Sequence, residues 1–191
     1  MKINVTKILT IMLLFASSQW VWADTAKPLV NQKAWDDAVE RLSKDSNPKL
    51  AANKRLALEA ERALAVALRY GGVKETAEKY MTSDYVQNDP NIPPGRDGFV
   101  RWFKAGAMQP PPKPGEQMDT TAPPPVMVFA ADDMVTLIFE TEMPDPTDPA
   151  KTYFYRPVVA FRIANGKLAE HWGGAPKGAS YCHLGVCDPK R

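Results

Sequence analysis

The sequence predicts an α+β domain in which helices come first and an antiparallel sheet closes the chain. Three observations carry that expectation. A long apolar stripe at helical spacing occupies the first half, between Asn47-Pro48 and Gly71-Gly72. From Val126 the pattern changes to β-rich runs, and Asn165-Gly166 sits between the last two of them as a hairpin signal. No strand–helix–strand alternation and no internal repeat is present, which argues against a parallel sheet covered on both faces.

The elements follow in order. Trp35, Val39 and Leu42, spaced by four and three, mark one face of a short helix ending near Ser43. Asn47 can cap and Pro48 can take the first helical position of the next helix, whose stripe is Leu50, Ala57, Ala60, Leu64 and Leu68. Val73, Ala77 and Tyr80-Met81 suggest a third helix, after which Asp84 to Pro90 is extended, since a proline biases the residue before it away from helix. Phe99, Trp102 and Phe103 place a fourth helix over Arg96 to Lys104. Seven prolines between residues 109 and 125 read as an extended surface connector. Four antiparallel strands are expected beyond it: Val126 to Ala130 and Met134 to Glu142 joined by Ala131-Asp132-Asp133, then Thr152 to Ile163 and Lys167 to Trp172.

The first 23 residues read as a cleavable export signal. Lys2 and Lys7 precede an apolar run, Ile8 to Ala16, too short to cross a bilayer, and Val21-Trp22-Ala23 ends in the small residue a signal peptidase needs. This places the working protein in the periplasm or outside the cell, without a stable membrane anchor. Residues 24–46 form a helical extension, 47–176 the main domain and 177–191 a tail. Both cysteines, Cys182 and Cys187, lie in that tail, where an oxidising compartment favours a short disulfide; with His183 they match no standard zinc spacing, so no metal is expected. The whole chain has 24 basic and 22 acidic residues, and the leader holds two of the basic ones, so the remainder is formally neutral. It lacks the basic footprint that nucleic-acid binding requires.

Two segments carry a family likeness. The run Tyr85-Val86-Gln87-Asn88-Asp89-Pro90-Asn91-Ile92-Pro93-Pro94-Gly95-Arg96-Asp97-Gly98-Phe99 and the closing Phe161-Arg162-Ile163-Ala164-Asn165-Gly166-Lys167-Leu168-Ala169-Glu170-His171-Trp172 resemble SnoaL-like proteins of the nuclear transport factor two-like superfamily, with Ala122-Pro123-Pro124-Pro125-Val126 in the expected place between them. The likeness spans about residues 50–176. It implies a cone-shaped barrel of helices packed on a strongly curved antiparallel sheet, with one apolar pocket at the wide end and no metal or organic cofactor. Active members of the family move a proton beside a carbonyl, and pair a base tuned by burial with a donor placed where charge develops. The resemblance further implies that the open sheet face pairs with a second copy, since it would be a large apolar patch in a monomer.

This chain departs from the family pattern at three points. Asn88 stands where a histidine is usual, Val159 where an aspartate is usual, and Gly173 where an aspartate follows the His-Trp pair. The candidate catalytic residues that remain are His171, Tyr85 and Asp89, and the candidate ligand-binding residues are Asn88, Arg96, Trp102, Tyr153, Tyr155 and Val159. His171 can be read as a base near neutrality or as a neutral ring that fixes the last strand. Asp89 before Pro90 can equally cap a turn, Arg96 begin a helix, and Trp102 fill core. Alternation along Thr152 to Ile163 would put Tyr153, Tyr155, Val159 and Phe161 on one face and Arg156 with Arg162 on the other. Two functions therefore stand at this stage: an exported protein that performs cofactor-free proton transfer on a small hydrophobic, carbonyl-containing molecule, or a non-catalytic periplasmic binder of such a ligand.

Overall fold

In a computed structural model the described residues are 31–106, 123–145, 147–148 and 150–173. Cys182, Cys187, the segment read as an export signal and most of the proline-rich connector lie outside them. The fold is α+β. Four helices, α1 (Gln32–Leu42), α2 (Pro48–Tyr70), α3 (Val73–Tyr80) and α4 (Gly95–Gly106), pack against a sheet that includes β1 (Met81–Gln87), β2 (Met127–Ala131), β3 (Met134–Ile138), β6 (Val158–Ala164) and β7 (Lys167–Gly173). Its order is β1-β7-β6-β3-β2, and a separate ribbon pairs β4 (Thr141–Pro144) with β5 (Thr152–Tyr155).

Local chemistry explains the boundaries of α2. The Asn47 side chain accepts the Lys49 backbone N–H at 2.9 Å, and Pro48 opens the helix where its missing donor costs nothing. Gly71 and Gly72 end it at φ of 94° and 87°, a region in which a Cβ is strained. Both two-residue hairpin loops also use left-handed backbone, at Asp132 (φ 53°), and at Asn165 (φ 53°) followed by Gly166 (φ 68°).

The strands depart from expectation in three ways. The run Met134 to Glu142 is two strands, because the chain leaves the main sheet at Phe139-Glu140 and enters the ribbon as β4. Likewise Thr152 to Ile163 divides at Arg156-Pro157 into β5 and β6; proline has no N–H to give a ladder. The sheet is also mixed rather than wholly antiparallel, since β1 joins its edge parallel to β7.

Register divides the main sheet into two faces. Ala130, Val135, Phe161, His171 and Gln87 form one row across five strands, and Val128, Leu137, Val159 and Gly173 form the next. These rows face the helices: Val135 and Leu137 are completely buried, as are Leu58, Ala57 and Ala60 of α2. Outward rows place Met127 beside Ile138 and Val158, and Phe129 beside Thr136, Ala160 and Trp172. Met127, Phe129 and Val158 are each more than half exposed.

Candidate functional site

Between the inner sheet face, α2 and α4 lies a cavity of about 200 Å³. Its wall is mainly apolar, with Leu64, Leu68, Met81, Phe99, Phe103, Phe139 and Phe161 contributing, and its polar residues include Glu61, Tyr85, Gln87, Asp89, Tyr155 and His171. Apolar walls with a few convergent polar groups are the usual make-up of a small-molecule site. Phe99 meets Tyr85 edge-on at 6.4 Å and Phe103 at 4.4 Å, which stiffens the aromatic side of the chamber.

Five of the nine residues singled out from sequence come together here: Tyr85, Asp89, Tyr155, Val159 and His171 all line the cavity. The other four do not. Tyr153 is 44% exposed on the β4–β5 ribbon, because the break at Pro157 cuts the alternation that would have joined it to Val159. Asn88 is exposed beside the sheet, where its amide donates to Glu170 Oε1 and to the His171 carbonyl, each at 3.0 Å, and so ties the end of β1 to β7. Trp102 packs edge-on against Phe103 at 4.5 Å, and Arg96 lies partly exposed in the first turn of α4; neither lines the cavity. As for the two arginines, Arg156 pairs with Glu140 and Arg162 with Glu170.

Gln87, not singled out from the sequence, organises one end of the site. Its Oε1 accepts the Asp89 backbone N–H at 2.9 Å and lies 2.7 Å from His171 Nδ1. A backbone N–H is always a donor, so the carboxamide oxygen must be the atom facing it, and the amide orientation is settled. His171 Nδ1 therefore carries the proton in that bond. Burial draws the imidazolium down to about 4, against a smaller opposing pull from the Asp89 charge, so the ring is neutral at ordinary pH and a weak base. Asp89 is itself buried, and its Oδ1 accepts the Asn91 backbone N–H at 2.8 Å and the Asn91 side-chain amide at 3.2 Å, which shapes the turn through Pro90.

The second residue missed from sequence is Glu61. It falls in the stripe of α2, four residues after Ala57, three before Leu64 and seven before Leu68, and so turns into the cavity with them. Among the described residues no hydrogen bond or ion pair reaches its carboxyl group. Desolvation alone raises it to about 7. The neighbouring Tyr85 hydroxyl holds its proton more tightly than a free phenol, first because it is buried and then because of the Glu61 charge. A carboxylate at a stripe position was the available signal, since a solvated glutamate belongs on the opposite helix face.

Access separates these groups. Among the described residues the buried side-chain polar atoms that lack a partner and are shut away from open space are Thr82 Oγ1 and Gln87 Nε2. The Glu61 carboxyl, the Tyr85 hydroxyl and His171 Nε2 are not of that kind: none has a hydrogen-bond partner among the described residues, and all three side chains line the cavity. Together they offer a group that titrates near neutrality, a hydroxyl donor and a bare nitrogen acceptor. No cluster of three or more histidine, cysteine, aspartate or glutamate side chains suited to a metal forms among the described residues.

No family model and no curated protein matches the chain. Solved structures do resemble it. A SnoaL-like protein from Jannaschia sp. CCS1, provisionally named a polyketide cyclase, is 13% identical over 69% of this chain and 90% of its own, with a TM-score of 0.46. An NTF2-like protein from Anabaena variabilis ATCC 29413 is 16% identical over 65% and 90%, with a TM-score of 0.43. A protein from Catenulispora acidiphila DSM 44928 with a ketosteroid isomerase-like fold, solved with trimethylamine, is 15% identical over 67% and 93%, with a TM-score of 0.40. These likenesses concern the course of the chain alone.

Proposed function

We propose that this chain is an exported protein whose cavity takes a small hydrophobic, carbonyl-containing molecule and moves a proton on it without a cofactor. The observation that carries the reading is the Glu61 carboxyl, without a partner among the described residues, in an apolar chamber beside a hydroxyl donor. A proton-transfer group works best when it titrates near the working pH, and burial brings Glu61 to about 7. In the step envisaged, the Glu61 carboxylate takes a proton from the carbon next to the carbonyl. The C–H electron pair becomes the new C=C bond while the C=O π pair moves onto oxygen. Tyr85 donates its hydroxyl to that oxygen, and reversal returns a proton to carbon. His171 and Asp89, proposed from sequence as catalytic, serve here to frame the cavity, with Tyr155 and Val159 as wall.

Hydrogen–deuterium exchange at the α-carbon of 2-tetralone in D2O, followed by NMR, tests the step. Wild-type protein should speed exchange, and Glu61→Gln should lose about 10²-fold or more of that acceleration. Equal rates in the two proteins would remove Glu61 from the chemistry. The non-catalytic alternative draws on the same walls and on the weak basicity of His171; a tightly held small molecule on protein from its own host, with no exchange, would establish it. Export rests on the Lys2 to Ala23 pattern, and the Cys182–Cys187 bridge follows from the compartment. The exposed outer rows of the sheet fit a homodimer through that face.

A further inference from the structure

His171 is the one candidate that gains a defined state from the structure without a task. Its Nδ1–H is committed to Gln87, whose oxygen is held in turn by the Asp89 N–H, so ring and amide lock each other. The remaining nitrogen, Nε2, has no hydrogen-bond partner among the described residues, and His171 lines the cavity. Gly173 keeps it open. A Cβ at that position would stand 3.4 Å from Nε2 and 2.9 Å from the Val158 carbonyl oxygen, and φ of +141° excludes most side chains in any case. Phe161 packs against the ring, with centroids 5.4 Å apart.

We propose that His171 Nε2 is a fixed hydrogen-bond acceptor that selects a ligand carrying a hydroxyl group, so that a hydrophobic compound with a hydroxyl beside its carbonyl is held more tightly than the bare ketone or hydrocarbon of the same shape. This rests on the reading that the cavity binds a small hydrophobic molecule. It goes beyond that reading by naming the second polar group such a molecule must present. The physical basis is asymmetric: a hydroxyl satisfies the nitrogen, whereas an apolar group of the same shape displaces water from it and returns nothing.

The probes are 2-naphthol and 2-methylnaphthalene, which share a shape and differ in a hydroxyl against a methyl. Wild-type protein should bind 2-naphthol about tenfold more tightly than 2-methylnaphthalene. His171→Phe, which keeps an aromatic ring, should bind the two alike. A second measurement needs no variant. With histidine labelled in nitrogen-15, of which the chain has two, the His171 signals should show a protonated Nδ1 and a bare Nε2, and Nε2 should shift when 2-naphthol is added. Equal binding of the two probes by the wild type, an unchanged preference in the variant, or a proton found on Nε2 would each overturn the acceptor role. Absence of binding by either probe would instead strike the cavity reading, and the inference would fall with it.

Discussion

Glu61 and His171 share one cavity and are displaced in opposite directions by the same burial, which makes their joint effect on stability measurable. For Glu61 the carboxyl rises from 4.5 to about 7 on folding. Its favourable contribution is complete below pH 4.5, where both states are protonated, and is lost as pH rises through 7. His171 falls from 6.5 to about 4, so its contribution is complete above 6.5 and lost as pH falls through 4. At 1.36 kcal/mol for each pH unit of displacement, each effect is on the order of 3 kcal/mol, and between pH 4.5 and 6.5 their opposite dependences on pH nearly cancel in the wild type, leaving a flat curve. Removing one uncovers the other. Relative to wild type, Glu61→Gln should lose stability as pH falls from 7 to 4, and His171→Gln should lose it as pH rises from 4.5 to 7. Urea midpoints taken at half-unit steps from pH 4 to 8 on the three proteins would show diverging curves, with the surface carboxylates supplying a common background. Three parallel curves would refute the burial argument for both residues.

Two further outcomes follow from packing. Gly98 lies against the loop before α4, where a Cβ would approach the Pro93 carbonyl oxygen to 2.6 Å and its carbon to 2.8 Å. Gly98→Ala should therefore cost about 1–3 kcal/mol, seen as a lower thermal midpoint, and an unchanged midpoint would show that the loop yields freely. Phe129, more than half exposed in the outer rows, should sit in the interface between two copies. Sedimentation at micromolar concentration should give a dimer for the wild type and a monomer for Phe129→Lys; a monomeric wild type would dismiss the interface.

Much of the helical half was legible because its signals are local. Asn47-Pro48 and Gly71-Gly72 fix α2 from residues adjacent in sequence, and Asn165-Gly166 fixes the last hairpin in the same way. What the sequence did not disclose was where a strand changes partners. Alternation records which side a residue faces, and it runs on unbroken through Phe139-Glu140 although the chain there passes from one sheet to another. Pro157 interrupts the run from Thr152 to Ile163, yet the alternation of Tyr153, Tyr155, Val159 and Phe161 continues across it and hides the change of sheet. The β1–β7 pairing has no local signature, since Gln87 and His171 meet across 84 residues. Glu61 is hidden for a different reason: a stripe defined by its apolar members passes over a carboxylate that shares their spacing.

The strand order also governs when the site can exist. The final strand of the sheet, β7, lies between β1 and β6. A chain that arrives amino end first has β1 on one side and β2, β3 and β6 on the other, with a gap that β7 fills. Until that segment docks, Gln87 has no imidazole to hold, His171 has no settled tautomer, and Glu61 stands in water as an ordinary glutamate. Such an arrangement keeps the chamber chemically silent in the unfolded chain and switches it on with the closing of the sheet.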